Sequence, residues 1–182
     1  MPNRTGTYVA FHAAGTTDPT ASDIKYYNML KAWHANDNIE FRLTNSHEKT
    51  AAVRDSSSRL TLINRLKERL RASKNMLLII TDITRQDTDC VPFEIGYAID
   101  TCQIPIIACY PDYSSVCNPA ALRPLWPEAF SQRIDNWSAR VIHIGFSRLP
   151  VLAAITTYSP TNQPEGSQVY YLPETYRRWG LL

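Results

Sequence analysis

The sequence predicts a flavodoxin-like α/β fold, a parallel sheet with helices on both faces. Two observations carry this expectation. Short apolar runs alternate with stretches of helical periodicity, and the runs at 76–81 and 104–110 are unbroken, as in strands covered on both sides. With 182 residues, 44% hydrophobic and 20% charged, the chain has room for one compact domain plus a modest appendage, and its composition argues against wholesale disorder.

The elements follow in order. Thr7 to His12 reads as the first strand. Ser22 to Ala35 reads as a helix capped by Ser22 or Asp23, with Ile24, Tyr27 and Leu30 three apart. Ile39 to Leu43 is a short second strand. Arg59 to Ser73 is the strongest helix: Leu60, Ile63, Leu66 and Leu70 form one face behind the start signal Asp55-Ser56-Ser57-Ser58. Met76 to Thr81 is the third strand. Asp89 to Thr101 is a helix capped by Asp89, with Pro92 in its first turn, where a missing N–H costs little. Ile104 to Tyr110 and Arg140 to Phe146 complete the strands. The proline-rich stretch 111–136 reads as irregular with short helical pieces. A polar connection, 156–166, leads into an aromatic tail, 169–179. This divides the chain into a domain over 1–150 and an extension over 151–182 packed on it.

Composition excludes several functions. Nineteen Lys+Arg against seventeen Asp+Glu is too even for a dedicated nucleic-acid binder. No apolar run reaches ~18 residues, so no membrane span is expected, and the first residues lack a signal-peptide core; the cytoplasm is the expected compartment. Cys90, Cys102, Cys109 and Cys117 form no C-x-x-C pair and read as core thiols, with no metal site. Residues 42–74 carry nine Lys/Arg and three Asp/Glu, which fall on several sides of the helix and read as a solvated face. There is no G-x-G-x-x-G, no G-x-x-x-x-G-K-[ST] and no G-x-S-x-G, which disfavours dinucleotide-dependent hydride transfer, P-loop chemistry and a serine-hydrolase elbow.

In open parallel sheets, ligands settle at the carboxyl ends of the strands. The loops expected there, 12–23, 44–58 and 81–89, are long for strand-to-helix connections. Glu94 is the only charge between Asp89 and Asp100, flanked by Phe93 and Ile95 near a helix start at that edge. One reading is a carboxylate favoured by the helix dipole and pointing at water. The other is a half-buried carboxylate beside a cleft, costly unless it has a task. A lone carboxylate suits cleavage between ribose and a nicotinamide ring. The base departs neutral, so no general acid is needed, and a fixed negative group steadies the oxocarbenium-like sugar.

On particular residues, the chain resembles the TIR-like proteins of bacterial Thoeris anti-phage systems, the ThsB group, over roughly residues 5–115. The resemblance is carried by Tyr8-Val9-Ala10-Phe11-His12, by Asn45-Ser46-His47-Glu48-Lys49-Thr50 leading to Val53-Arg54-Asp55, by the passage from Leu70 to Ile80, and by Pro92-Phe93-Glu94-Ile95 followed by Ile104-Pro105-Ile106-Ile107. It implies a TIR-like fold and cleavage of NAD, as substrate with no resident cofactor, by the glutamate matching Glu94. It further implies a cyclic ADP-ribose isomer that reaches a separate effector by diffusion, and a phage-derived trigger. The chain departs from the family at Cys90, where many members carry tryptophan. Homo-oligomer formation stays open.

Further candidates for substrate contact are Phe11 and His12 at the end of the first strand, Asn45, Ser46 and His47 after the second, and Asp82 after the third. Phe11 is equally a core residue, His12 a local hydrogen-bonder, and residues 45–47 turn-formers. Two other functions stand beside NAD cleavage. In a nucleoside deoxyribosyltransferase-like protein, whose helix resembles Phe93-Glu94-Ile95-Gly96-Tyr97-Ala98, Glu94 is a covalent nucleophile and Asp82 or Asp87 the acid for a leaving purine. In a non-catalytic TIR module, signalling runs through assembly.

Overall fold

The computed structural model describes residues 4–13, 22–42 and 56–182, with side chains from Arg59 onward in the last segment. Six strands form one parallel sheet in the order β2-β1-β3-β4-β5-β6: β1 (Thr7–Ala10), β2 (Phe41–Arg42), β3 (Asn75–Ile79), β4 (Ile106–Tyr110), β5 (Val141–Gly145) and β6 (Val169–Tyr170). The flavodoxin-like order is therefore observed, extended at one edge by β6. Every residue of β1, β3, β4 and β5 is buried, as continuous apolar strands between two helical layers must be.

Two cores result. On one face, Tyr8, Ala10, Met76, Leu78 and Ile80 meet Leu62, Leu66 and Leu70 of α2 (Ser56–Ala72) and Val91 and Ile95 of α3 (Cys90–Gly96). Phe130 and Ile134 of α4 (Glu128–Asp135) join them. On the other face, Val9, Phe11, Leu77 and Ile79 meet Leu30 of α1 (Ile24–Trp33) and Val151, Ala154 and Ile155 of α5 (Arg148–Thr157). The buried stripe of α2 begins at Leu62 rather than at the expected Leu60, which is 64% exposed; spacing of four from Leu62 through Leu70 keeps one side toward the sheet.

The expected helix 89–101 forms as α3 followed by a π-helical turn, Tyr97–Thr101, in which the Cys102 N–H reaches back to the Tyr97 carbonyl. The stretch 111–136 contains a 3-10 helix, Pro119–Leu125, and α4. Beyond β5 the chain forms α5, which runs across residue 150, then β6 paired with β5 (Ile142↔Val169, His143↔Tyr170), and α6 (Pro173–Arg178), whose Tyr176 is fully buried. None of the four cysteines is in a disulfide, and all but Cys117 are buried.

A closed polar chain crosses the first core. The Trp126 indole N–H donates to the Tyr110 hydroxyl at 2.8 Å, and Tyr110 lies 2.8 Å from His143 Nδ1. His143 Nε2 lies 3.2 Å from the Ser167 carbonyl. A carbonyl only accepts, so Nε2 carries the proton, Nδ1 accepts from Tyr110, and the neutral ring is satisfied at both nitrogens. Burial holds the His143 pKa down at about 4.

Candidate functional site

Glu94 lies in the second turn of α3 with no exposed surface. An ionised carboxylate in such a place is expensive unless donors face it. One donor is the Tyr8 hydroxyl from β1, 2.6 Å from Glu94 Oε1 and equally enclosed. Strand alternation explains the meeting: Tyr8 and Ala10 turn toward α2 and α3, while Val9 and Phe11 turn toward α1. Sequence reasoning missed Tyr8, which in a strand pattern reads as one more core aromatic. The signal available was its hydroxyl, which a buried tyrosine must satisfy.

The start of α3 is organised by a residue other than the expected cap. Asp89 occupies the N-cap position, but its side chain makes no capping bond and instead forms a two-pronged pair with Arg59 of α2, at 2.8 and 2.5 Å. Both partners are about half exposed, 53% and 41%, so the pair contributes no more than about 1 kcal/mol. Capping falls to Asp87, whose Oδ1 accepts the N–H groups of Asp89 at 3.0 Å and Val91 at 3.3 Å. Asp87 Oδ2 meets His12 Nδ1 at 3.0 Å. The end of β1 is thereby tied to the start of the helix that carries Glu94.

Beside this junction lies a second enclosed carboxyl. Of the two caps expected for α1, Ser22 Oγ accepts the Ile24 N–H at 3.4 Å, whereas Asp23 makes no capping bond. Its Oδ2 accepts the Thr81 hydroxyl at 3.0 Å, and its backbone N–H donates to the His12 carbonyl at 3.3 Å. Burial raises the Asp23 pKa to about 6, against the lowering influence of the Thr81 hydrogen bond and of His12. Thr84 closes the end of β3, accepting the Thr81 N–H at 2.8 Å and donating to the Ile79 carbonyl at 3.3 Å.

Of the residues singled out from sequence, the structure brings Glu94 and His12 to the same side of the sheet, linked through Asp87 and α3. Phe11 is fully buried in the opposite core, among Val9, Leu30 and Ile79. Asp82 is exposed on the turn after β3. Asn45, Ser46 and His47 lie outside the described residues. Two hollows among the described residues are elsewhere: one of about 360 Å³ beside the π-helical turn, lined by Asp100, Gln103 and Arg140, and one of about 590 Å³ between α1 and α2, lined by Tyr27, Arg65 and Arg69. Among the described residues, no group of three or more His, Cys, Asp or Glu side chains is placed to hold a metal ion, and no helix is long and apolar enough to cross a membrane.

This arrangement offers a fixed carboxyl oxygen on a pinned helix, with an imidazole–carboxylate pair at the carboxyl edge of the sheet. Residues 8–115 match the family described as Thoeris protein ThsB, TIR-like domain. The match takes in more than half of the chain, including all of β1 but Thr7, and α3 and β4, and the chain belongs to that family.

Proposed function

We propose that this ThsB-family chain is an NAD-cleaving enzyme of anti-phage defence acting in the cytoplasm, with Glu94 as its catalytic carboxylate. The observation that carries the reading is the complete burial of Glu94 in the helix after the third strand, with the Tyr8 hydroxyl on one carboxylate oxygen. A solvated surface glutamate needs no such holder.

The chemistry follows from the charge. When the bond between ribose C1′ and the nicotinamide nitrogen breaks, the bonding pair leaves with the ring and the positive charge moves to the sugar. A carboxylate about 4 Å away, at an effective dielectric of ~20, lowers that charged state by about 4 kcal/mol. That is close to three powers of ten in rate. Because Tyr8 fixes the carboxylate in advance, little reorganisation accompanies charge development. A hydroxyl of the same dinucleotide then captures C1′ and loses its proton, giving a cyclic ADP-ribose isomer. This product diffuses to a separate effector. A carboxylate covered as Glu94 is covered here suits an enzyme that stays silent until infection triggers it.

The test is mass-resolved analysis of NAD, nicotinamide and ADP-ribose species with purified protein and with extracts of infected, protein-expressing cultures. Nicotinamide and a cyclised product are expected from the wild type, with release reduced about a thousandfold in Glu94→Gln. Wild-type turnover in Glu94→Gln removes Glu94 from the mechanism. Base exchange between free nucleosides supports deoxyribosyl transfer instead, and protection of the culture without NAD loss supports an assembly module.

A further inference from the structure

The alternation that sends Tyr8 toward Glu94 continues past the end of β1. Tyr8 and Ala10 lie in the α2–α3 core, Val9 and Phe11 in the α1 core, and His12 is next on the Tyr8 side. Its Nδ1 reaches Asp87 Oδ2 at 3.0 Å. The two side chains are 17% and 10% exposed, so the pair sits at the rim of the sheet rather than sealed in the core or out in bulk water.

The pair is fixed from both sides. Asp87 is oriented by the α3 backbone through its other oxygen, and the His12 backbone is held by the Asp23 N–H. A carboxylate only accepts, so in the neutral ring Nδ1 carries the proton and Nε2 carries the lone pair. Among the described residues no hydrogen bond occupies Nε2. The imidazole is thus an oriented base, with its orienting carboxylate behind it.

Resting on the NAD-cleaving reading, we propose that His12 is the general base of the ring-closing step and Asp87 its positioning residue. As the C1′–nitrogen bond breaks, its electron pair departs with nicotinamide. A hydroxyl oxygen of the same dinucleotide forms the new C1′–O bond, its O–H bond breaks, and the proton passes to His12 Nε2. The resulting imidazolium is held by the Asp87 carboxylate and returns its proton to water. Glu94 governs departure of the base; His12 governs the fate of the sugar.

Two measurements test this on the full chain. The first does not depend on turnover: ¹⁵N NMR of the imidazoles, with His12 assigned through loss of its signals in His12→Gln. His12 is expected as the Nδ1–H tautomer, shifting away from it in Asp87→Asn, whose amide still offers an oxygen to cap α3. An Nε2–H tautomer in the wild type overturns the proposal. The second is the ratio of cyclic product to nicotinamide released in extracts of infected cultures. Since positioned bases contribute ~10²–10⁴, the ratio is expected to fall at least tenfold in His12→Gln and in Asp87→Asn. Glu94→Gln instead suppresses nicotinamide itself. An unchanged ratio in variants with wild-type melting temperatures, or ADP-ribose as the only wild-type product, overturns the base role while leaving NAD cleavage standing. Absence of nicotinamide from the wild type overturns the reading on which the role rests.

Discussion

Replacing Tyr8 by phenylalanine isolates the contact that holds Glu94. The ring stays, so no cavity opens, and only the hydroxyl 2.6 Å from Glu94 Oε1 is lost. Both residues have no exposed surface, so water does not simply replace the donor. A hydrogen bond to a charged group contributes about 1.5–3 kcal/mol. In a chain of this size each kcal/mol is worth ~2–4 °C in Tm, giving an expected drop of roughly 3–12 °C. Urea unfolding at pH 7 measures the free energy directly. Repeating the substitution in a Glu94→Gln background shows whether the hydroxyl serves a charge. A neutral hydrogen bond is worth only about 0.5–1.5 kcal/mol, so the cost of Tyr8→Phe should shrink by about 1 kcal/mol there. A cost below 0.5 kcal/mol in the wild-type background, or the same cost in both, refutes the argument that Tyr8 stabilises an enclosed carboxylate.

Three further outcomes follow from other buried groups. The Asp23 carboxyl is raised by burial from 3.8 to about 6, so the folded state binds its proton more tightly than the unfolded state does. Its stabilising contribution is full below pH ~4 and is lost as pH rises through 6. Asp23→Asn should therefore become more stable relative to wild type by roughly 2 kcal/mol between pH 4 and 7, measured by melts across that range; parallel curves would count against it. His143 shifts the other way, from 6.5 down to about 4 by burial. Its contribution is full above pH 6.5 and is lost as pH falls toward 4, so its ring proton NMR signals should stay flat from pH 8 to 5, and His143→Gln should lack this acid-side loss. A His143 midpoint near 6.5 contradicts the enclosed Trp126–Tyr110–His143 chain. At Gly145 an added Cβ would collide with the Ser114 carbonyl carbon. That neighbour is backbone, so Gly145→Ala should cost on the order of 1–3 kcal/mol or more, visible as a lowered Tm or loss of soluble protein.

The parts of the fold legible in the sequence are those where one physical signal dominates. The unbroken Met76-Leu77-Leu78-Ile79-Ile80 run declares a strand covered on both faces. The four-residue spacing from Leu62 to Leu70 declares a helix, though which leucine leads the stripe depended on where the sheet lies. Helix α5 gives no such signal: Leu149, Pro150, Val151, Leu152, Ala153, Ala154 and Ile155 are apolar all round, and Pro150 argues against a helix until it is seen to stand in the first turn. Strand β6 is two residues long and exists through pairing with β5.

At the candidate site, Glu94 stands out in the sequence because a lone charge in an apolar helix is locally conspicuous, but its complete enclosure, deeper than the half-buried place expected, does not show there. Its holder does not show either, because Tyr8 lies 86 positions away. Local rules also misplaced Asp89, and at α1 they left the cap between Ser22 and Asp23, where Ser22 takes the Ile24 N–H. Asp23 and Asp89 stand where helix caps belong, yet Thr81 and Arg59 claim their side chains, as tertiary partners outbid a capping bond worth ~1 kcal/mol.

The site depends on the register of one short strand. β1 lies against β3 with Tyr8 opposite Met76 and Ala10 opposite Leu78, and only in that phase do Tyr8 and His12 both face α3. A slip by one residue would turn Val9 and Phe11 to Glu94 and Asp87. The enclosed carboxylate would lose its tyrosine donor, and the imidazole would point into the α1 core. Burial of Val9 and Phe11 against Leu30 and Ile79 opposes the slip, since each such side chain is worth about 1.5–3 kcal/mol when enclosed. The apolar residues of β1 thus set the geometry of its polar ones. Truncating Phe11, with no part in the chemistry required of it, would act on the site by loosening the register that aims Tyr8 and His12.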